Sequence, residues 1–291
     1  MKEKLKLGIP KGSLQSATIR LFERAGWKIN VNGRSYFPEI NDDEIDCSLC
    51  RAQEMSRYVE NGTLDAGLTG KDWILENDSE VEYVEEMVYS KVSARPARWV
   101  LAVAKDSGIK KVEDLAGKRV ATEMVNFTRR FFEEKNVPVE VHFSWGATEA
   151  KVVNGLADAI VEVTETGSTI RAHGLEIIDE LMQSTTQLIA NKQAWKDLDK
   201  RKKIQQISLL LKGALVAEKL VALKMNVPKL KLQDIVEALP SLNAPTVANL
   251  YGSEWFSVET VIEDGRVRDL IPELMEKGAE GIIEYALNKV I

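Results

Sequence analysis

From Lys6 to Ala190, short apolar runs alternate with amphipathic stretches. This alternation restricts the fold more than any other feature of the chain. Lys6–Ile9, Ile45–Leu49, Leu64–Leu68, Trp99–Ala104, Arg119–Thr122, Val139–Phe143 and Ala159–Val163 have strand character. Between them lie helical stretches at Leu14–Ala25, Gln53–Asn61, Asn126–Lys135 and Thr148–Leu156. Strands spaced by helices at this pitch form parallel sheets covered by helices. The sequence therefore predicts an α/β protein with two lobes, one of residues 1–95 plus 180–211 and one of residues 96–179. Ile177–Ala190 reads as a strand returning to the first lobe, and Trp195–Glu218 as one long helix. No internal sequence repeat relates the lobes.

The pattern changes after residue 212. Strand, helix, strand, strand, helix and strand follow at Leu220–Met225, Leu232–Leu239, Thr246–Leu250, Trp255–Ile262, Val267–Lys277 and Gly281–Tyr285, with Asp264-Gly265 read as a turn. This βαββαβ order is the ferredoxin-like unit, and residues 212–291 are expected to form it. A chain of 291 residues exceeds what one core usually organises. The net charge of -6 argues against duplex nucleic acid as a partner, but leaves room for a small anion held by local donors. No apolar stretch approaches the ~18 residues of a membrane span, and Leu5–Pro10 is too short for a secretory leader core. A cytoplasmic location without membrane partners is the expectation.

Cys47 and Cys50 form a C-x-x-C pair within a run where Ile45, Cys47 and Leu49 alternate with Asp46, Ser48 and Cys50. That alternation describes a half-buried strand. The only histidines, His142 and His173, supply no second pair for a zinc site. The sharpest chemical motif is LADAIVEVTETGSTI, residues 156–170. A buried strand delivers Thr164-Glu165-Thr166-Gly167-Ser168-Thr169 to a helix start, where hydroxyls and freed backbone N–H groups suit a phosphate monoester. A simple helix cap is the competing reading. Asp158 and Glu162 flank the strand and suit ribose hydroxyls or hydrated Mg²⁺. Pro10-Lys11-Gly12-Ser13-Leu14 follows the first strand, so Lys11 meets an anion if ligands sit at carboxyl strand ends. Asn61–Asp72 reads as a further strand–turn–helix corner containing Gly67 and Thr69-Gly70.

Taken together, PKGSL, RAQEMSRYVENGTLDAGLTGKD, DLAGKRVATE, GLADAIVEVTETGSTI, LPSLNAPTVANL and KGAEGII resemble the long form of the ATP phosphoribosyltransferase family, in order and over essentially the whole chain. Ser13 stands where many relatives carry an arginine. The resemblance implies a two-lobed catalytic part of the periplasmic-binding-protein type II fold, an active site between the lobes, and a C-terminal ACT-like regulatory domain. It implies phosphoribosyl transfer from phosphoribosyl pyrophosphate (PRPP) to N1 of ATP, with Mg²⁺. The 5′-phosphate of PRPP is then expected on Glu165, Thr166, Gly167, Ser168 and Thr169, with Asp158 and Glu162 toward its ribose or the metal. Lys11, Gly12, Arg51, Asp65, Gly67, Thr69 and Gly70 are expected near ATP and pyrophosphate, with Arg95 and Arg98 as further phosphate contacts at the lobe crossing. Lys11, Asp158 and Glu162 are the expected catalytic groups. The resemblance further implies feedback by L-histidine bound between regulatory domains of neighbouring subunits, at positions matching Asn226 and Thr246, in a homo-oligomer running from dimer to hexamer. Asn226 falls where some relatives carry an aspartate. A two-lobed small-molecule binding protein and a catalytically silent paralogue are the alternatives.

Overall fold

The computed structural model describes residues 3–33, 35–89, 96–242 and 244–291. Two compact units emerge: one of residues up to 208 save 23–26, the other of residues 23–26 and 209–291.

The first unit holds two five-stranded sheets. Lobe I contributes β1 (Leu5–Lys11), α1 (Gln15–Ala25), a small pair β2 (Ile29–Asn30) and β3 (Glu39–Ile40), β4 (Ile45–Arg51), α2 (Ala52–Glu60), β5 (Ala66–Gly70), α3 (Lys71–Asn77) and β6 (Glu82–Met87). Lobe II contributes β7 (Ala97–Ala104), β8 (Arg119–Thr122), α4 (Val125–Glu134), β9 (Glu140–Phe143), α5 (Glu149–Val153), β10 (Ala159–Thr164), α6 (Ser168–Ala172) and β11 (Leu175–Ser184). β12 (Thr186–Ala190) then re-enters lobe I, followed by α7 (Lys192–Lys196) and α8 (Leu198–Ala217).

The strand orders are β4-β1-β5-β12-β6 and β9-β8-β10-β7-β11. Within each lobe this is second, first, third, visitor, fourth. The visitor, β12 in one lobe and β7 in the other, runs antiparallel to both neighbours. The remaining pairs β1–β4, β1–β5, β8–β9 and β8–β10 are parallel. This shared order is the type II periplasmic-binding-protein topology. The repeat is one of topology, and it leaves no trace as sequence repetition. β12 is buried along its whole length, as a strand covered on both faces must be.

Three readings of the sequence are corrected. Ile177–Ala190 is two strands: β11 stays in the sheet of lobe II through Ser184, past the boundary expected at 179, and only β12 joins lobe I. Trp195–Glu218 is interrupted at Asp197. α7 starts earlier, where the Asn191 side chain accepts from the N–H groups of Gln193 and Ala194, and Asp197 caps the next start by accepting from Asp199 and Lys200. β6, with the sequence EYVEEM, shows little apolar alternation and went unread; it is an edge strand paired to β12.

The second unit contains β13 (Leu220–Pro228), α9 (Leu232–Ala238), β14 (Thr246–Asn249), β15 (Trp255–Glu263), α10 (Asp264–Glu276) and β16 (Glu280–Ala286). The antiparallel sheet order is β14-β15-β13-β16, which is the ferredoxin-like arrangement. One face packs Leu223, Met225, Val227, Val258 and Ile262 against Ile235, Leu239, Val267, Leu270 and Leu274 of the helices. Asp264-Gly265, read as a turn, is the first turn of α10.

In lobe I two glycines shape the core. Gly8 of β1 and Gly67 of β5 are paired across the sheet. A Cβ on either would lie 2.4 Å or 2.6 Å from Met55 Sδ of α2. The notch lets α2 sit close to the sheet, and Met55 is fully buried there. Gly67 thus serves helix packing and not a ligand. Gly67→Ala is expected to destabilise the protein by about 1–3 kcal/mol through overpacking while leaving the KM for ATP unchanged. Thermal melts and steady-state kinetics on the same preparation check this.

Candidate active site

A cavity of about 420 Å³ lies between the lobes. Its walls come from residues at the carboxyl ends of parallel strands. Lys11 ends β1, Arg51 ends β4 and Gly70 ends β5, while Glu123 follows β8 and Thr164–Glu165 ends β10. Gly12 and Ser13 complete the turn after β1. Gly12 has φ +114°, and a Cβ there would stand 3.4 Å from the Arg51 guanidinium. The Lys11 ammonium sits 3.9 Å from the centre of the Tyr36 ring, a cation–π contact. One wall is therefore cationic.

Three residues expected on that wall have other duties. Asp65 is buried at the amino end of β5, accepting from the Lys6 backbone N–H at 2.8 Å and from Lys200 at 3.0 Å. Thr69 is fully buried and donates to the Ala52 carbonyl at 2.7 Å, fastening the start of α2. Gly67 forms the helix notch described above. Gly70 lines the cavity; a Cβ there would meet an Asp72 carboxylate oxygen at 2.0 Å.

On the opposite wall the 164–169 loop turns on Gly167, which has φ +71° and precedes α6. Gly167 N–H donates to Thr164 Oγ1 at 2.7 Å. The hydroxyls of Thr166 and Ser168 lie 3.0 Å apart, and Thr166, Ser168 and Thr169 are exposed. A side chain on Gly167 would meet the Arg171 guanidinium at 2.9 Å and Ile177 at 3.2 Å. Substitution there would distort the turn from below, beyond any blocking of donors. The Arg171 guanidinium donates to the Thr166 carbonyl at 2.9 Å, which puts a cation beside the loop. Sequence reasoning missed Arg171, although its place four residues after Gly167 on a short helix was the available signal.

The two flanking carboxylates part company. Asp158 precedes β10 and lies at the far end from the loop, roughly 23 Å from Glu165 at about 3.3 Å per residue. It accepts from Arg119 N–H at 2.9 Å and Nε at 3.2 Å, and these bonds hold its pKa below the usual carboxylate value. Asp158 therefore organises the β8–β10 edge, and its expected role at ribose or metal does not survive the geometry. Glu162 lies near the loop end of the strand. Burial pushes its pKa up to about 7, against hydrogen bonds from Thr148 and Val163, and the charges of Glu149 and Glu123 raise it further. Burial also raises Glu123, although Gly146 N–H and the Gln53 side chain bond to it. Glu123 was not singled out from sequence; its place just after β8 was the clue.

Arg95 lies outside the described residues. Arg98 pairs with Glu180 at 3.1 Å. The thiols of Cys47 and Cys50 are pushed up to about 12, mainly by burial, so both stay protonated at neutral pH. In the second unit, Thr246 and Asn226 lie on the sheet face away from the helices. Thr246 pairs with Glu259, and Asn226 with Ser257. Among the described residues no cluster of three or more His, Cys, Asp or Glu side chains suits a metal, and no helix is long and apolar enough to cross a membrane.

These features define a two-lobed α/β protein with a hydroxyl-rich loop after β10 across the cavity from a cationic wall, joined to a ferredoxin-like domain. Family models agree: residues 51–213 match that of ATP phosphoribosyltransferase, and residues 217–289 match "HisG, C-terminal domain". The chain is 70% identical to the ATP phosphoribosyltransferase of Desulfatibacillum aliphaticivorans and 72% identical to that of Desulfosudis oleivorans, covering all of both chains in each case. It is also similar to a solved ATP phosphoribosyl transferase (HisG:HisZ) complex from Thermotoga maritima, with TM-score 0.63 and 29% identity over 73% of this chain and 98% of that one. The chain belongs to the ATP phosphoribosyltransferase family, whose reaction opens histidine biosynthesis.

The raised pKa of Glu162 carries a consequence for stability. A carboxyl whose folded pKa exceeds its unfolded value of 4.5 contributes stability that is full below 4.5 and is lost as pH rises through about 7. Glu162→Gln is therefore expected to gain stability relative to the parent as pH rises from 5 to 8, by on the order of 1 kcal/mol after allowing for partial exposure. Melts of both proteins across that range test it.

Proposed function

We propose that the cavity between the lobes aligns N1 of the ATP adenine behind C1 of PRPP, with the 5′-phosphate on the 165–169 loop and the pyrophosphate toward Lys11 and Arg51. The observation that carries this reading is the meeting of a cationic wall and an anion loop across one cavity. Exposed hydroxyls of Thr166, Ser168 and Thr169 together with Arg171 supply donors for a phosphate monoester. Bond breaking at C1 runs ahead of attack and gives an oxocarbenium-like centre. The protein then needs alignment and charge stabilisation more than a nucleophile. Lys11 and Arg51 stabilise charge on the departing pyrophosphate. Glu162 and Glu123 offset positive charge on the ribose and on the adenine as N1 is alkylated.

The donor set suits a Mg²⁺ that enters with PRPP, held at most by one or two carboxylates such as Glu162 and Glu123, because no protein cage of three acidic or imidazole ligands exists among the described residues. When bound, the ion neutralises pyrophosphate charge. A cytoplasmic location is part of this reading, and membership of a histidine biosynthetic family supports it. Formation of phosphoribosyl-ATP, followed by absorbance, should require ATP, PRPP and Mg²⁺ together; full turnover in excess chelator overturns the metal requirement. Lys11→Ala is expected to lower kcat roughly tenfold to a hundredfold with little change in the KM for ATP, the pattern of an interaction made mainly in the transition state. A raised KM with unchanged kcat would limit Lys11 to ground-state binding.

Residues 212–291 serve as the L-histidine sensor within a homo-oligomer, from dimer to hexamer. Thr246 and Asn226 share the open sheet face but lie two strands and one rung apart, roughly 12 Å at about 4.8 Å per strand and about 3.4 Å per residue. Both side chains stand on the face that the helices leave uncovered, which supports a site shared between subunits. Thr246→Ala is expected to raise the histidine concentration for half-inhibition about three- to tenfold, the effect of one lost hydrogen bond, with unchanged uninhibited kcat. Inhibition curves for the two proteins check it, and identical curves sink the assignment.

A further inference from the structure

Two carboxylates on α3 stand at the seam between the lobes, and Asp72 also lines the cavity. Asp72 and Glu76 are four residues apart, hence on one face of the helix, and both are buried. Each is satisfied by groups of lobe II. Asp72 accepts from Trp99 Nε1 of β7 at 2.7 Å. Its own N–H donates to Ser184 Oγ, where β11 ends, at 3.2 Å. Trp73 packs edge-on against Trp99, with ring centres 6.1 Å apart and planes at 90°. One turn further along, Glu76 accepts from the backbone N–H groups of Asn126 at 3.0 Å and Phe127 at 2.8 Å. The Asn126 side chain donates to the Glu76 carbonyl at 3.3 Å, and Arg130 donates to the Leu75 carbonyl.

The reason for the second contact is local. The first N–H groups of a helix lack partners within it. Met124, the residue that would cap α4, has no side-chain acceptor and makes no capping bond. The cap of this lobe II helix comes instead from a lobe I carboxylate, whose charge also suits the positive helix end. Glu123 of the cavity wall lies immediately before Met124. Trp73 and Trp99 line the cavity as well. Gly70 belongs to the same device, because a Cβ there would collide with the Asp72 carboxylate.

We propose that α3 is a clasp between the lobes, in which Asp72 and Glu76 fix the separation of the two substrate-binding walls, and that Glu76 is a positioning residue for phosphoribosyl transfer acting through α4 and Glu123. The clasp is reversible. Both carboxylates exchange lobe II donors for water when the lobes part, so closure is a balance that the substrates tip by binding both walls. The proposal rests on the reading that each wall holds substrate.

The test uses Glu76→Ala and Glu76→Gln in the full-length protein. Amide hydrogen exchange at 126–127 should accelerate in Glu76→Ala, where the donors lose their acceptor. Its kcat should fall roughly tenfold to a hundredfold, the effect of misaligning reactants by about an ångström. The affinity for PRPP alone, measured by calorimetry, should fall clearly less than kcat, because the 165–169 loop that holds its 5′-phosphate lies wholly in lobe II. Glu76→Gln keeps the shape and one acceptor oxygen, and should recover part of both losses; it carries the test if the alanine variant folds poorly. Unchanged exchange at 126–127, an unchanged kcat, or a loss of PRPP affinity as large as the loss of kcat each overturns the clasp. The underlying reading fails separately: a Gly167→Val protein that still binds PRPP normally would remove the loop assignment while leaving the exchange result standing.

Discussion

The chemistry of this protein depends on the direction of its strands. In each lobe the parallel strands point their carboxyl ends at the cleft, and one visiting antiparallel strand completes the sheet. Five strand ends, those of β1, β4, β5, β8 and β10, thereby discharge their loops into a single cavity. Side chains at these ends are free of sheet hydrogen bonding and available to ligand. Side chains at the amino ends meet the opposite fate. Asp65 and Asp158 are both drawn into bonds with a neighbouring backbone N–H and a cation. The two carboxylates do the same structural work in the two lobes, tying the start of the third strand to its neighbour. Their resemblance to site residues in sequence comes from this shared place in the fold.

That division explains how far the sequence could be read. The alternation of strand and helix was enough for the α/β class, the two lobes and the ferredoxin-like tail, because apolar periodicity reports burial directly. Lys11 and Glu165 were placed at this cavity by the strands read before them, whereas Arg51 and Gly70 came only from the family resemblance; all four line it. Gly67 and Thr69 were expected near ligand through the family resemblance, and a glycine or threonine at a strand end has the same letter whether it meets a phosphate or a helix. Only the position of Met55 above Gly67, and of the Ala52 carbonyl beside Thr69, tells the two apart. Long-range pairings were beyond reach for the same reason. Nothing in the letters near Ser184 marks where β11 leaves one sheet and β12 enters the other, because the extended chain runs on with only Thr185 between them.

Electrostatics then sorts the two walls. The lobe I side carries Lys11 and Arg51, and the lobe II side carries Glu123, with Glu162 behind it in β10 and the two charges disfavouring one another. Burial of carboxylates without a nearby cation is unfavourable, and the raised pKa of Glu162 reflects it. Such a group gains most when a positive centre arrives. The proposed mechanism supplies one, since an oxocarbenium-like ribose and an adenine alkylated at N1 both carry positive charge. The same wall bears the exposed hydroxyls and Arg171 for phosphate. On the proposed reading, anionic leaving group and cationic reaction centre are met by opposite walls, which makes the closing of the lobes part of the chemistry.

The C-terminal sheet follows a different rule. Its helices cover one face completely with Leu223, Met225, Val227 and Val258 packed beneath them. The other face presents Lys224, Glu259, Ile283 and Tyr285, with a Tyr285–Glu259 hydrogen bond of 2.6 Å across it. An antiparallel sheet tolerates one wet face, so this face has no structural need of a cover, and its mixture of charge, aromatic ring and aliphatic side chain is what a partly polar contact between subunits requires. Thr246 and Asn226 stand on that same open face, two strands apart. On the reading that histidine binds there between subunits, ligand binding and subunit arrangement are linked by the same free energy.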